Sequence, residues 1–312
     1  DIRTTHTKLT VTALGVVSSQ KEVIEKTGVR VVLAHYPEFH YGDTIRIRGE
    51  LRKPAKTLVG EDGAGRSFNY AEYLAKDGIF YEMFYPRAER VASGGGNALK
   101  RALFSLKHAY LNGLHEALPE PHASLAGGIT VGAKEALGED LLQTFRTAGV
   151  IHIVVLSGYN ITIIAETIGK AVAFLPRMFG LGLSALSIIL FAVMTGAGAT
   201  IVRASLMALL VLLARATGRV SEITTALFVA AFLMLLHNPH ILVFDPSFQL
   251  SFLATVGLLY AAPFSARFFK WLPATGGVRE AATATLATQI FVLPALVYML
   301  GEFSVVAFVV NL

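Results

Sequence analysis

The chain contains no cysteine, a single tryptophan and few charges in its second half. Without cysteine there is no disulfide framework, no thiolate nucleophile and no zinc–thiolate site. Charged residues make up only 16% of the 312, against about 25% in ordinary soluble domains. Hydrophobic residues reach 54% and the mean hydropathy is +0.56, which argues against an ordinary cytosolic enzyme. Also missing are a P-loop, an HExxH pair, any carboxylate pair at metal spacing and any 20–50-residue repeat. No catalytic centre, metal site or cofactor site is therefore expected. The chain opens on Asp1 without a signal peptide and closes inside the apolar run Phe303 to Leu312. Both ends are expected to be cut from a longer membrane protein.

What is present is unevenly spread. Residues 1–96 hold 26 of the 49 charged side chains, and residues 151–312 hold 13. The net charge of +5 divides into +2 for residues 1–96, 0 for 97–150 and +3 for 151–312. This predicts a soluble domain over 1–96, a connector over 97–150 and a membrane domain over 151–312.

Residues 9–17, 29–35 and 42–51 are β-branched and alternating, with Gly, Pro and Asp between them. In 42–51, Ile45, Ile47 and Gly49 point one way and Arg46, Arg48 and Glu50 the other. With a further strand over 79–85, a barrel of about five short strands is expected. Residues 55–67 read as a loop and 70–76 as one or two helical turns. Beyond the linker 93–96, Leu99, Leu103, Leu106, Tyr110 and Leu114 recur at helical spacing among Lys100, Arg101, Lys107 and His108. That is an amphipathic helix suited to a membrane surface.

Apolar stretches at 151–175, 181–199, 201–216, 222–237, 248–264 and 281–300 predict spans, with a seventh from residue 303. Several fall short of the roughly 20 residues a simple span needs. Broken or re-entrant segments are expected around 195–200 and within 151–175. Alternate loops carry Arg177, then Arg215 and Arg219, then Arg267, Lys270 and Arg279. That bias makes their side cytoplasmic and puts residues 1–150 outside, if 151–175 crosses.

Polar groups within these spans are costly unless they meet a partner or a wet cavity. His152, Ser157 and Asn160 fall within nine residues. On one straight helix, His152 and Ser157 lie about 140° apart, poor geometry for a nucleophile and its base. Helix packing and a polar lining remain open for them. Arg203 sits four residues into a span, and either a phosphate contact or a pairing with Asp245 suits it. Asp245 before Pro246 has the form of a helix cap. Gln249 and Ser251 follow, and suit a lumen better than a cap. In the first domain Arg46, Arg48, Arg52 and Lys53 cluster amid Tyr36, Phe39, Tyr41, Phe68, Tyr70 and Tyr73. A basic strand with aromatics is how small barrels hold single strands, and a merely solvated face has the same composition.

These segments resemble the ComEC family, the inner-membrane channel of bacterial DNA uptake. The resemblance rests on Gly149, His152 and Ser157-Gly158, on Thr195-Gly196 with Arg203-Ala204, and on Phe248-Gln-Leu-Ser-Phe252 with Asp245 upstream. Gln289 to Leu312 resembles the family's late span with its Asn-Leu pair. Gly42-Asp43 and the run Phe68 to Leu74 resemble its extracytoplasmic OB-type barrel. Asn160 departs from the pattern, standing where a second histidine is common. The metallo-β-lactamase-like nuclease domain of some members is absent, as are the cysteines many carry in the barrel.

The resemblance implies a small extracytoplasmic OB-like β-barrel followed by a polytopic α-helical transmembrane domain in the cytoplasmic membrane. The implied function is transport of single-stranded DNA, without enzymatic activity in this chain. His152, Ser157, Asn160, Arg203, Asp245, Gln249 and Ser251 would line or brace the path. Arg46, Arg48, Arg52 and Lys53 would hold DNA on the barrel. The implied partners are single-stranded DNA, the lipid bilayer, a DNA receptor and a cytoplasmic motor, with homo-oligomerisation left open. Two other readings stay open: an intramembrane hydrolase using Ser157 with His152, and a small-solute permease.

Overall fold

The computed structural model describes residues 7–13, 27–34, 36–56, 69–151, 158–172, 174–218, 222–273 and 277–300. The chain divides into two compact units, residues 1–112 with 135–138, and residues 113–134 with 139–312.

The first unit is built on two small sheets. Strands β1 (Thr7–Thr12), β2 (Gly28–Leu33) and β4 (Ile79–Phe84) form one, in the order β1-β2-β4, antiparallel then parallel. Strands β3 (Thr44–Arg48) and β5 (Arg87–Ala92) pair antiparallel as the other. β-Branched alternation explains the packing: Val29, Val31 and Leu33 project from β2 into a core with Met83, Leu9, Val11, Ile47 and Ala88. The expected alternation of 45–48 is observed, with Ile45 and Ile47 half-buried and Arg46 and Arg48 exposed. Helix α1 (Tyr70–Ala75) is capped by the Asn69 side chain.

Among the described residues the five strands form two sheets, linked by an isolated antiparallel bridge from Arg52, just after β3, to Glu82 of β4; closure into the expected barrel is not shown. β2 spends one edge on β1 and the other on β4, so β3 finds its partner in β5. Gly28 allows the β2–β4 approach: a Cβ there would sit 2.3 Å from the Gly78 carbonyl oxygen. The expected loop 55–67 lies outside the described residues from 57 onward.

Helix α2 (Ala98–Ala117) begins under the Asn97 side chain, which accepts from the Leu99 and Lys100 amides at 2.9 and 3.2 Å. Its expected apolar stripe is only partly covered: Phe104 meets the Tyr41 ring edge-on at 5.3 Å, while Leu99, Leu106 and Tyr110 stay exposed.

The second unit is helical. It comprises α3 (His122–Val131), α4 (Glu139–Thr147), α5 (Gly158–Ala171), α6 (Arg177–Met194), α7 (Ala199–Thr217), α8 (Ile223–His237), α9 (Ile241–Phe244), α10 (Pro246–Ser265) and α11 (Val278–Leu300). Four of these, α6, α7, α10 and α11, are long and apolar enough to cross a membrane. The chain is a multi-pass membrane protein on that basis. Helix α8 has 15 residues and measures about 22 Å at 1.5 Å per residue, short of a roughly 30 Å hydrocarbon core. The break expected at 195–200 is the turn joining α6 to α7, with Gly196 and Ala197 at φ 95° and 52°. The seventh span expected from residue 303 lies outside the described residues.

Helix α7 packs against α5, α6, α8 and α10. Ile161, Ile188, Phe191, Ala192 and Ile201 form the core shared by α5, α6 and α7. Helices α10 and α11 form a separate, closely packed pair. A Cβ on Gly257 would lie 2.6 Å from the Ala287 carbonyl oxygen, so only glycine admits this crossing.

Candidate functional site

Arg203 lies one turn into α7, about 6 Å along the helix axis from its first residue. Its Nη1 donates to the Ser251 carbonyl and to Thr255 Oγ1, both on α10. Its guanidinium carbon stands 5.7 Å from the centre of the Phe252 ring, a cation–π contact. Gly158, the first residue of α5, lies beside it: a Cβ there would be 4.0 Å from Arg203 Nη2. Among the described residues, Arg203 pairs with no carboxylate, and neither its Nε nor Ser251 Oγ has a hydrogen-bond partner. The alternative pairing with Asp245 is not formed. Asp245 instead caps α10, accepting from the Ser247 and Phe248 amides at 2.9 and 3.4 Å, and is 5% exposed.

The other path candidates have local duties. Gln249 Nε2 donates to the carbonyls of Leu242 and Val243 at 2.7 and 3.0 Å, clasping the short α9 to α10. The Asn160 amide donates to the Ile129 carbonyl and so ties α5 to α3. His152 and Ser157 lie outside the described residues. Arg203, Ser251 and Gly158 are thus brought together, while Asp245 and Gln249 organise the start of α10.

On the first unit, Arg46 and Arg48 stand on the solvent face of β3. Across the ladder, Arg46 faces Glu89 and Arg48 faces Arg87. Like charges directly opposite each other are unfavourable in a sheet, and solvent screening makes the cost small where both are exposed. Arg52 is partly neutralised: it binds Glu50 at 2.7 Å, and that hydrogen bond and charge hold the Glu50 carboxyl below its ordinary pKa. Lys53 is exposed. Arg90 is drawn away to Asp43 at 3.0 Å and lies against Phe39.

The aromatics named from the sequence divide. Tyr70 is structural: Arg30 donates to its hydroxyl at 2.8 Å, and that hydroxyl donates to the buried Glu82 at 2.8 Å. Burial first, and the Glu82 bond second, push its pKa up to about 12. Tyr41 docks α2, and Phe68 lies outside the described residues. Tyr36 is exposed, as are Phe80, Phe84 and Tyr85, which the sequence reading had passed over.

Residues 129–312 match the family described as Competence protein. This chain belongs to that family. It is also similar to ComE operon protein 3 of Bacillus subtilis (strain 168), with 24% identity over 277 residues, 87% of this chain and 33% of the relative. The chain therefore spans about a third of that relative's length. No solved structure matches it.

The matched range includes the four membrane segments singled out in the sequence, and three of them come together at Arg203: Ser-Gly through Gly158, Arg-Ala itself, and Phe-Gln-Leu-Ser-Phe through Ser251 and Phe252. Sequence reasoning missed Thr255 as a ligand of Arg203. Its position four residues after Ser251, on the same helix face, was the available signal. It also missed Arg87, because the β3–β5 pairing that brings it to Arg48 leaves no local trace.

Proposed function

We propose that this chain is part of a conduit passing single-stranded DNA across the bacterial cytoplasmic membrane during natural transformation. The observation that carries the reading is the convergence of three membrane motifs on one half-buried guanidinium that has no carboxylate partner among the described residues. A charge within a span is costly and marks function by default. Here the counter-charge would be the phosphodiester of a passing strand, bound strongly enough to enter and weakly enough to leave. His152, Ser157 and Asn160 would line or brace the path beside it, with Asp245, Gln249 and Ser251 holding α10 in place.

The first unit would be an OB-like domain outside the membrane that presents the strand. Arg46, Arg48, Arg87 and Lys53 would meet phosphates, and Phe80, Phe84 and Tyr85 would offer faces for base stacking. The conduit itself would catalyse nothing, with energy supplied by a cytoplasmic motor and DNA supplied by a receptor. The orientation rests on the positive-inside bias. A single cysteine introduced between 55 and 67 should react with an impermeant maleimide on intact cells; reaction only after permeabilisation would invert the topology.

The test is delivery of labelled DNA into the nuclease-protected cytoplasm by the full-length protein carrying Arg203→Ala. Delivery should fall at least tenfold with surface binding retained, the loss expected from about 1.4 kcal/mol of lost interaction. Unchanged delivery in a well-expressed variant makes Arg203 a helix staple and nothing more. The staple reading has its own support in the bonds to Ser251 and Thr255. Arg203→Lys separates the two, since it keeps the charge but loses the planar guanidinium whose Nη1 reaches both Ser251 and Thr255.

A further inference from the structure

Residues 266–273, which follow α10, are a small, tightly built element. Its first amides continue the helix, Ala266 to Ala262 at 2.9 Å, Arg267 to Phe264 at 3.1 Å and Phe268 to Ser265 at 3.0 Å. The Phe264 and Phe268 rings meet edge-on at 5.4 Å. From the start of α11, Arg279 reaches back, and its Nε donates to the Leu272 carbonyl at 2.9 Å while Nη2 donates to that of Lys270 at 3.1 Å. Arg279 is therefore occupied with holding backbone.

The outer surface of the turn is a different matter. Arg267 and Lys270 are exposed, and among the described residues neither has a carboxylate partner. Between and beside them, Phe268 is 57% exposed and Trp271 78% exposed. Large rings in water are unfavourable, yet here they are fixed outward by a pinned backbone. The turn directly joins two apolar helices that must themselves lie in lipid. Aromatic rings settle at headgroup level, and cations near the surface attract anionic headgroups. Because the backbone of residues 266–272 is already held by these bonds, little further ordering opposes binding.

We propose that this turn is a binding site for an anionic phospholipid. Arg267 and Lys270 take the headgroup phosphate, and Phe268 and Trp271 seat among the headgroups and upper acyl chains. The site is independent of DNA conduction.

Trp271 is the one tryptophan in the chain and so reports on its own surroundings. The chain is reconstituted in phosphatidylcholine bilayers doped with brominated phosphatidylglycerol or, separately, brominated phosphatidylcholine. Brominated phosphatidylglycerol should quench Trp271 more strongly. The preference derived from the two should fall roughly fivefold in Arg267→Gln or Lys270→Gln and roughly thirtyfold in the double variant, each cation at the surface being worth about 1 kcal/mol. Both side chains are exposed and have no carboxylate partner among the described residues, and helical circular dichroism checks that the variants fold. Equal quenching by the two lipids overturns the proposal, as does a preference that survives the double substitution. Absence of quenching by either lipid puts Trp271 against water or another protein and overturns it equally.

Discussion

On the sheet of the first unit, Arg46, Arg48 and Arg87 stand in solvent on neighbouring strands, two of them facing each other with like charge. In the helical unit, Arg203 is half-buried, clasped by a carbonyl and a threonine hydroxyl, and lies over a phenyl ring. The same side chain is used as a mobile surface charge in one place and as a fixed internal one in the other. Solvent explains the difference. Water screens exposed cations and lets them tolerate one another. A cation within a span must be satisfied by whatever the neighbouring helices offer. Exposed cations on a sheet make only weak, screened contacts, whereas Arg203 in the helical unit is held with high positional definition.

The comparison can be broken most severely by loosening the helical framework. Gly257→Ala inserts a Cβ 2.6 Å from the Ala287 carbonyl oxygen and should cost about 3 kcal/mol, read as loss of thermal stability in detergent. Gly182→Ala on α6, where a Cβ meets nothing within 4 Å, is the control and should be neutral or mildly stabilising. On the sheet, Arg48→Ala and Arg87→Ala should each lower the salt slope of single-strand binding by about 0.7 while changing stability by less than about 0.5 kcal/mol. An unchanged slope would mean that the facing pair meets no phosphate.

The smallest effect concerns Tyr70. Its folded pKa of about 12 lies above the ordinary tyrosine value of about 10, so folding favours the protonated phenol. The resulting stability is fully present below pH 10 and is lost as pH rises from 10 toward 12. Tyr70→Phe should flatten that part of the pH–stability curve, measured by thermal melts of the first unit's signal. An identical alkaline slope in both proteins would remove Tyr70 from the account.

Much of this was legible in the residues. The alternation of Ile45 to Arg48 fixed the face of β3, because a strand has only two faces. Asp245-Pro246 announced a helix start, because Asp satisfies orphan amides and Pro lacks one. Four of the expected runs correspond to the candidate spans α6, α7, α10 and α11, whereas 222–237 is the shorter α8 and the described helix within 151–175 is only Gly158–Ala171. What could not be read was pairing at a distance. Nothing near Arg48 points to Arg87, and nothing near Tyr70 points to Arg30 and Glu82. Closure into a barrel was inferred from strand number, but strand number does not decide which edges pair.

The glycine crossing of α10 and α11 also limits how the helical unit can move. With backbone against backbone at Gly257 and Ala287, neither helix can roll on the other without losing that contact. Helices α5 to α8 pack on one another as a second block, and α7 against α10 is the main join between the blocks. Any widening of the unit along that join swings α10 and α11 together as a single leaf. The two bonds from Arg203 to Ser251 and Thr255 are then the latch that must release.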